Sequence, residues 1–395
     1  MRIGVLSLLD VSILKPFVDS LTEQRIIEKI ACKTQSPSVD TLVLSLLKKG
    51  CFLRIFTIGK VDYIYKSSSF ELFVIKANSN YIVRNTWDVF DKARRLKNVL
   101  MQNYSDLDVL HAHWTYEYVY AAKSLSSEIP IVCTVRDWAP YIWKMVTLKN
   151  KPLWTFKFIM AKRVFTNKKI NFVANSPYTF NLLKEIGIQA PIIPNSILDS
   201  FFEDVVPHNL NHLNLLCISS SDDSRKNVIT LLKAFKLIRE KYPSAVLKLV
   251  GGCFTPDSPN CINYKSQGLL QNVDLCGFVD HDGLKVYLDQ ASIFVTPSLE
   301  ETFGNTLLES ISRKVPTLGG KDSGAVPYVL HHGKVGYLCD VTDAKSIASA
   351  IDYIYTHKEE AINKAEYAYT FIKNEYSESF VADKYIEIYT SCVNQ

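Results

Sequence analysis

Short apolar segments alternate with longer amphipathic segments along the whole chain, and this alternation most constrains the fold. Helix-like stretches such as Asn227–Lys241 and Thr306–Arg313 separate the apolar segments. Segments this short and apolar are typical of parallel strands covered on both faces, so the pattern predicts an α/β protein with parallel sheets. The predicted strands are Ile3–Leu6, Phe52–Thr57, Val109–His111, Ile131–Val135, Phe172–Ala174, Ile192–Ile193, Leu213–Ile218, Ala245–Val250, Asp274–Cys276, Ile293–Thr296, Thr317–Leu318 and Gly336–Leu338.

The alternation occurs in two blocks of similar length, and 395 residues exceed what one ordinary hydrophobic core accommodates. Residues 193–213 combine Pro, Asn and Asp without periodicity and are predicted to be a linker. We therefore expect an N-terminal domain over residues 1–200 and a C-terminal domain over 201–375. A final helix over 376–395 is expected to cross back to the N-terminal domain. Ligands of such sheets bind at the carboxyl ends of the strands, so the loops after the strands carry the functional hypotheses.

Composition excludes several classes of protein. Hydrophobic residues make up 47% and charged residues 22%, which is typical of globular rather than disordered chains. The nine cysteines show no C-x-x-C pairing, which indicates reduced thiols and argues against a zinc site. Asp10 interrupts the first apolar stretch, and no run of eighteen apolar residues exists, so neither a secretory signal nor a membrane span is expected. These features predict a cytoplasmic protein.

Charge is distributed unevenly. Residues 1–200 hold 27 Lys and Arg against 16 Asp and Glu, whereas residues 201–395 hold 18 against 24. Residues 144–169 contain eight Lys and Arg, no acidic residue, and several interleaved aromatic residues. If this segment is helical, it could lie on an anionic membrane at the inner face, or its apolar side could pack in the core beneath solvated lysines. Both interpretations stay open, and nucleic acid is not an expected partner because no nucleic-acid module is recognisable.

The stretch PSLEETFGNTLLES, residues 297–310, follows a predicted strand and carries two carboxylates, Glu301 and Glu309. Asn305 is the predicted N-cap of a helix that starts near Thr306. The amides of residues 303–306 would then favour a phosphate or sugar oxygens. Carboxylates accept hydrogen bonds from vicinal hydroxyls, so both suit a sugar or a ribose. The alternative is a solvated loop glutamate and a first-turn glutamate stabilised by the helix dipole.

Three further loops carry candidate side chains. Arg225 and Lys226 follow the strand Leu213–Ile218 and could neutralise a diphosphate, unless they are an ordinary surface pair. His113 follows the strand Val109–His111, although a lone histidine is more often structural. Arg136 and Asp137 follow the strand Ile131–Val135, where they could line the crevice or pair locally.

Together these residues resemble the GT-B glycosyltransferases, specifically the family-4 group of retaining enzymes. The E-x7-E pattern of Glu301 and Glu309 is the most specific element, and residues 108–118, 129–138, 171–179, 191–197, 250–252, 277–288 and 333–340 follow in the expected order. The resemblance implies α/β architecture of the GT-B type, with two Rossmann-like parallel-sheet domains facing a central cleft. It also implies a nucleotide-diphospho-sugar donor, UDP- or GDP-linked, and no cofactor.

The resemblance implies a role for each candidate residue. Glu301, Lys226 and Arg136 are expected to act in catalysis, with Glu301 on the transferred sugar and Lys226 on the diphosphate. Glu309 is expected to bind the donor ribose, and His113 and Asp137 to lie on the acceptor side. The remaining donor-binding residues are expected to be Phe303, Gly304, Asn305, Thr306, Arg225, Ser221, Phe278 and Val279.

Three positions depart from the family pattern. Ser221 stands where the family usually has an arginine, and Arg225 is a hypothetical replacement for its charge. The segment LSLLDVS after the first strand lacks the family's glycines. Arg136 stands where many members have a histidine, and a guanidinium does not act as an acid or base. No D-x-D pair is placed to hold a metal on the diphosphate, so no metal is expected.

These observations predict a retaining, metal-independent glycosyltransferase that uses a nucleotide sugar and a lipid-linked or cell-surface glycan acceptor. Polysaccharide, O-antigen or capsule biosynthesis would use such an enzyme. Three alternatives stay open: a nucleotide-sugar epimerase of the same fold, a synthase with a small soluble acceptor, and a non-catalytic partner subunit of a glycosyltransferase.

Overall fold

The computed structural model describes residues 1–18, 20–30, 37–77, 88–207 and 210–394. These residues form two compact units, each with its own sheet and core. The first unit combines Met1–Ser196 with Glu378–Gln395, and the second comprises Ile197–Ser377. The predicted linker, residues 193–213, contains the boundary at Ser196 and lies partly outside the described residues at 208–209.

A seven-stranded sheet in the order β3-β4-β2-β1-β5-β6-β7 forms the centre of the first unit. β3 pairs antiparallel with β4, and the other neighbouring strands pair in parallel. The inner strands are apolar and buried along nearly their whole length, as expected for strands covered on both faces. The strands are β1 Arg2–Leu6, β2 Phe52–Gly59, β3 Tyr63–Lys66, β4 Phe70–Lys76, β5 Val109–His113, β6 Ile131–Val135 and β7 Ile170–Ala174.

Helices cover both faces of this sheet and include the C-terminal helix of the chain. The α-helices are Leu21–Ile30, Pro37–Lys48, Asp88–Met101, Glu117–Ala122, Ala139–Met145, Lys151–Phe165, Pro177–Glu185 and Glu378–Val393, with 3-10 turns at Val11–Phe17, Lys123–Leu125 and Leu148–Asn150. Glu378–Val393 inserts Tyr385 and Tyr389, which are 1% and 0% exposed, into the same core as Ile3 and Val109. The last helix is therefore an integral part of the first unit.

A six-stranded parallel sheet in the order β10-β9-β8-β11-β12-β13 forms the second unit. The strands are β8 Asn214–Ile218, β9 Val246–Val250, β10 Val273–Gly277, β11 Ile293–Val295, β12 Thr317–Gly320 and β13 Tyr337–Cys339. The α-helices are Val228–Lys241, Pro259–Ser266, His281–Gln290, Asn305–Ser312, Val326–Val329, Ala344–Thr356 and Lys358–Glu375, with 3-10 turns at Asp199–Phe202 and His331–Gly333. In the helix Val228–Lys241, for example, Leu231, Phe235 and Ile238 share the buried face that the helical period predicts.

The prediction of two parallel-sheet, Rossmann-like α/β domains is confirmed, with two local corrections. The hairpin of β3 and β4 was not predicted, although SSS between two apolar stretches is a turn signal. Ile192–Ile193 is not a strand, because the chain makes only an isolated bridge there between Ala174 and Ile192. Residues 193–196 have no regular secondary structure, and Pro194 lacks the backbone N–H that would extend the ladder.

Candidate functional site

Two loops of the second unit meet because β8 and β11 are neighbours in its sheet. The amide of Leu299 donates to the carbonyl of Arg225 at 2.8 Å. Asn227, with φ of 53°, turns its side-chain amide toward two backbone carbonyls, Pro297 at 3.1 Å and Val341 at 2.8 Å. The left-handed conformation is one that asparagine tolerates better than most residues. These bonds fix the positions of the side chains on both loops.

Lys226 and Glu301 form an ion pair across these loops. Lys226 Nζ donates to Glu301 Oε1 at 2.6 Å, and the two side chains are 14% and 15% exposed. Burial alone would raise the pKa of Glu301, but the charges of Lys226 and Arg225 outweigh it and hold that pKa below its usual range. Glu301 is therefore ionised at neutral pH and remains an acceptor for hydroxyl groups.

Arg225 pairs with a residue that sequence reasoning missed, Glu300. Arg225 Nη1 lies 3.4 Å from Glu300 Oε2. Glu300 is 3% exposed, and burial raises the pKa of its carboxyl to about 7 despite the opposing charge of Arg225. The sequence did carry a signal for this pairing. Two adjacent cations follow one predicted strand, two adjacent carboxylates follow another, and the two strands could be neighbours in the sheet.

The helix Asn305–Ser312 begins directly after Gly304, which has φ of 95° and is the N-cap. The prediction of Asn305 as the N-cap is therefore wrong. Glycine adopts this left-handed conformation without the strain that a side chain would bring, and a Cβ there would lie 3.0 Å from Leu307 Cδ1. Asn305 and Thr306 form the first turn, at the positive end of the helix dipole. Phe303, 1% exposed, packs against Tyr376 and anchors the turn before the helix.

Glu309 lies one turn into this helix and is 6% exposed. Burial raises the pKa of its carboxyl to about 7. Among the described residues, no side chain or backbone amide is seen to bond its carboxylate. Glu301 and Glu309 therefore differ chemically: one is held ionised by a lysine, and the other has only burial acting on its charge.

The other predicted donor-side residues occupy defined positions in the same unit. Ser221 Oγ donates to Asp223 Oδ2 at 3.1 Å, and Asp223 also accepts the amide of Arg225 at 3.0 Å, so Ser221 braces the loop that carries the cations. Phe278 and Val279 follow β10 directly, and Phe278 is 46% exposed. Aromatic rings are the type of side chain on which planar bases stack.

In the first unit, the structure brings His113 and Arg136 together. Arg136 Nε donates to His113 Nδ1 at 3.0 Å, and Arg136 Nη1 donates to Ser38 at 2.7 Å and Asn195 at 2.6 Å. Burial, with the charges of His111 and Arg136, lowers the pKa of His113 well below its usual range, so His113 is neutral. Asp137 accepts a hydrogen bond from the Tyr116 hydroxyl.

A buried polar network lies behind these residues and was not predicted. His111 Nδ1 shares a hydrogen bond of 2.6 Å with the Tyr389 hydroxyl, and His111 Nε2 contacts Thr134 Oγ1 at 2.8 Å. Thr134 also contacts the Tyr385 hydroxyl at 2.9 Å. The C-terminal helix therefore supports β5 and β6, the strands that end at His113 and immediately before Arg136.

Within the described ranges, no group of three or more His, Cys, Asp or Glu side chains has an arrangement that could hold a metal ion. In the same ranges, no helix combines the length and apolar character needed to cross a membrane.

Two family models match the chain, one in each half. The model of Glycosyl transferases group 1 matches residues 203–371, and the model of Glycosyltransferase Family 4 matches residues 36–199. The chain is 26% identical over 127 residues to 2-deoxystreptamine N-acetyl-D-glucosaminyltransferase of Niallia circulans, a match that covers 32% of each protein. It is 26% identical over 256 residues to phosphatidyl-myo-inositol mannosyltransferase of Mycobacterium tuberculosis, covering 63% of each. These matches therefore span less than two thirds of either relative's length.

Solved structures resemble the whole chain. Sucrose-phosphate synthase from Thermosynechococcus elongatus superposes with a TM-score of 0.77 at 19% identity, covering 99% of this chain and 98% of that one. HepE from Anabaena, in complex with UDP and glucose, superposes with a TM-score of 0.70 at 14% identity, covering 99% and 100%. At these identities the likeness establishes the fold. With one family model matched in each half and this fold throughout, the chain belongs to the GT-B glycosyltransferases of family 4.

Proposed function

We propose that the protein is a retaining glycosyltransferase that transfers a sugar from a nucleoside-diphosphate sugar without a metal ion. The observation that carries this proposal is the arrangement around the Lys226–Glu301 ion pair. The pair lies on neighbouring loops, and Glu301 precedes a helix that begins at Asn305 and carries the buried Glu309. HepE, which has the same fold, has been solved with UDP and glucose.

The proposed mechanism uses charge stabilisation. As the nucleoside diphosphate leaves the anomeric carbon, negative charge develops on its phosphate oxygens. Lys226, Arg225 and the amides at the start of the helix Asn305–Ser312 supply positive charge and dipoles for that leaving group. Glu301 accepts hydrogen bonds from the transferred sugar, and Glu309 accepts them from the ribose. The leaving phosphate, rather than a protein side chain, would take the acceptor proton.

We assign His113 and Asp137 to the acceptor side of this reaction, and Arg136 to the support of the donor phosphate or the transferred sugar during catalysis. Arg136 is fixed by three hydrogen-bond partners in the first unit, so its guanidinium has a defined position. A fixed guanidinium suits a phosphate or a sugar hydroxyl and does not suit proton transfer. Neutral His113 holds Arg136 by accepting a hydrogen bond at Nδ1.

The proposed acceptor is a lipid-linked or cell-surface glycan precursor reached at an anionic membrane surface on the cytoplasmic side. The name of the mycobacterial relative, phosphatidyl-myo-inositol mannosyltransferase, indicates a lipid substrate for that enzyme. In the helix Lys151–Phe165, Met160, Ala161 and Val164 are buried in the first unit. Packing in the core thus accounts for part of the apolar side that the sequence predicts for this helix. In the basic segment of residues 144–169, which contains this helix, Lys149, Lys162 and Lys168 are exposed and give it a cationic surface.

A thermal-shift screen with UDP, GDP, ADP and their sugars tests the proposed donor class. A ligand present at one hundred times its Kd stabilises the folded protein by about 2.7 kcal/mol. We expect one nucleoside diphosphate to shift the melting temperature, and the folded variants Glu301→Ala and Glu309→Ala to lose sugar transfer. A protein that no nucleotide stabilises would instead be a non-catalytic partner, and one that turns over the donor without an acceptor would be an epimerase.

Vesicle co-sedimentation tests the membrane surface. Each surface lysine contributes about 1 kcal/mol to binding at an anionic membrane, so changing Lys149, Lys162 and Lys168 to Glu should abolish binding to phosphatidylserine vesicles. Changing Lys233, Lys236 and Lys265 to Glu, exposed lysines of the second unit, is the matched control and should leave binding nearly unchanged. Equal losses in both variants, or binding to neutral vesicles as strong as to anionic ones, would contradict the proposal.

A further inference from the structure

Two consecutive carboxylates of one loop pair with two consecutive cations of the neighbouring loop. Glu301 pairs with Lys226 at 2.6 Å, and Glu300 pairs with Arg225 at 3.4 Å. The backbone bond from Leu299 to Arg225 holds the loops in this register. The proposed function uses Lys226, Arg225 and Glu301, but it gives no role to Glu300.

The Arg225–Glu300 pair is asymmetric in its exposure. The side chain of Arg225 is 18% exposed, whereas that of Glu300 is 4% exposed. Glu300 Oε1 is buried and, among the described residues, has no hydrogen-bond partner. Glu300 is thus too deeply buried to serve as the main contact for a ligand, and its charged neighbour Arg225 lies on the more accessible side.

The burial of Glu300 has a thermodynamic consequence. A buried carboxylate oxygen without a hydrogen bond destabilises the folded protein, because it gives up hydration without replacing it. Side chains that destabilise the folded protein in this way are concentrated at functional sites. An apolar residue of similar volume would be expected to fit the same space at lower cost. The presence of glutamate therefore requires a reason beyond folding.

We propose that Glu300 is a positioning residue that holds the Arg225 guanidinium beside Lys226, so that both cations meet the diphosphate of the donor. The inference rests on the proposed function, because it takes a nucleoside diphosphate as the ligand. An arginine side chain has many rotamers. If it is already fixed before the ligand binds, less conformational entropy is lost on binding. Asp223 is a second, more distant anionic neighbour, with Oδ1 3.9 Å from Arg225 Nε.

The sign of one mutational effect separates positioning from simple electrostatics. Glu300 is an anion near a site for an anionic ligand, so Coulomb repulsion alone predicts that Glu300→Gln binds the diphosphate more tightly. Positioning predicts the opposite, because the variant releases Arg225. The two effects also differ in their dependence on Arg225. The repulsion between Glu300 and the diphosphate persists when Arg225 is removed. A positioning effect disappears, because the side chain that Glu300 would hold is gone.

Isothermal titration calorimetry on the full chain tests the proposal with UDP, GDP and ADP and with the corresponding nucleosides. We expect Arg225→Ala to raise the Kd of the bound nucleoside diphosphate about tenfold, which is typical of one charge-assisted hydrogen bond. Glu300→Gln should raise it about threefold to tenfold. The double variant should bind like Arg225→Ala alone, and nucleoside affinity should stay the same in all variants. Glu300→Asp, which keeps the charge, should recover part of the loss.

Two controls keep the outcomes distinct. Glu366→Gln removes a carboxylate from an exposed ion pair with Lys314 in the same unit and should leave the Kd unchanged. Melting temperatures should show that Glu300→Gln is at least as stable as wild type, whereas a merely structural Glu300 would show a loss. The proposal is overturned if Glu300→Gln leaves the Kd unchanged, lowers it, or raises it equally without Arg225. If wild type binds no nucleoside diphosphate, the proposed function fails and this inference fails with it.

Discussion

Lys226 and Glu301 lie 75 positions apart in the chain, yet their charged atoms are 2.6 Å apart. Their loops meet because β8 and β11 are adjacent in the parallel sheet, and the carboxyl ends of adjacent parallel strands point to the same edge. Both side chains are mostly buried. Removing one partner alone would therefore leave a largely buried charge without its counterion.

This burial predicts a strongly non-additive pair of mutations. Lys226→Ala leaves the carboxylate of Glu301 buried without its cation and should lower the free energy of unfolding by about 3 kcal/mol. Adding Glu301→Ala should restore most of that loss, because it removes the unpaired charge. Urea denaturation at pH 7 measures the free energy of unfolding of wild type, of each single variant and of the double variant, which together form a double-mutant cycle.

The exposed pair Lys314–Glu366 provides the control for this cycle. Glu366→Gln should change the free energy of unfolding by less than about 1 kcal/mol, as is typical of surface ion pairs. Additive effects of Lys226→Ala and Glu301→Ala would show that the two side chains are not coupled.

The buried carboxyl group of Glu309 leads us to expect that the free energy of unfolding depends on pH. Burial raises the pKa of its carboxyl to about 7 in the folded protein, so the folded state keeps a proton that the unfolded state releases at lower pH. Its contribution to stability is therefore fully present below the unfolded pKa and is lost as the pH rises to about 7. Glu309→Gln should be nearly as stable as wild type at pH 4 and more stable at pH 8, by at most about 3 kcal/mol.

Thermal unfolding of wild type and Glu309→Gln across this pH range measures the difference. Glu366→Gln is the reference here, and its difference from wild type should stay small across the range. A Glu309→Gln difference that shrinks between pH 4 and pH 8 would contradict the assigned direction of the pKa shift.

Gly324 and Gly268 offer a matched test of packing around Glu301. Both have positive φ, 62° and 69°, so each disfavours a side chain. A Cβ at Gly324 would lie 2.4 Å from the carbonyl oxygen of Glu301, whereas a Cβ at Gly268 would meet no atom within 4 Å. Gly268→Ala should lower the free energy of unfolding by about 1 kcal/mol, and Gly324→Ala by about 3 kcal/mol or more.

Chemical denaturation of the two glycine variants measures both losses. Because Gly324 also bridges to the backbone of Glu301, Gly324→Ala should weaken nucleotide binding while Gly268→Ala should not. Equal losses of stability would mean that backbone strain alone, and not the contact with Glu301, sets the effect.

The hydroxyl of Tyr389 predicts a role for the C-terminal helix in the stability of the first unit. Tyr389→Phe removes the partner of His111 Nδ1, a fully buried ring nitrogen. An unsatisfied buried polar group costs about 1–3 kcal/mol, so unfolding by urea should become easier by that amount. Tyr367→Phe is the control, since Tyr367 is 57% exposed, and it should change stability by less than about 0.5 kcal/mol. Equal effects of the two variants would contradict this role.

Much of the fold could be predicted because its cause is local. Strands such as β5 and β11 are short and apolar because helices cover both faces of their sheets, and that requirement appears directly in the sequence. The hairpin of β3 and β4 escaped prediction because β3 lies at the sheet edge, where its alternate residues are exposed and its apolar signal is weak.

The candidate site likewise has features that could be predicted from the sequence and features that could not. Their positions after strands could be read from the chain, because a polar cluster that follows an apolar run marks a strand end. The burial of Glu300, the cap at Gly304 and the bond between His111 and Tyr389 could not be read, because each depends on backbone conformation or on contacts between distant segments.

Residue order along the chain is enough to predict the α/β architecture, the loops that carry charged side chains and the resemblance to a family. The folded chain is needed to show which cation pairs with which carboxylate, and in which direction burial shifts each pKa. Strand order brings residues 75 positions apart into contact, and desolvation depends on everything that surrounds a side chain. Neither quantity is encoded in the spacing of residues along the chain.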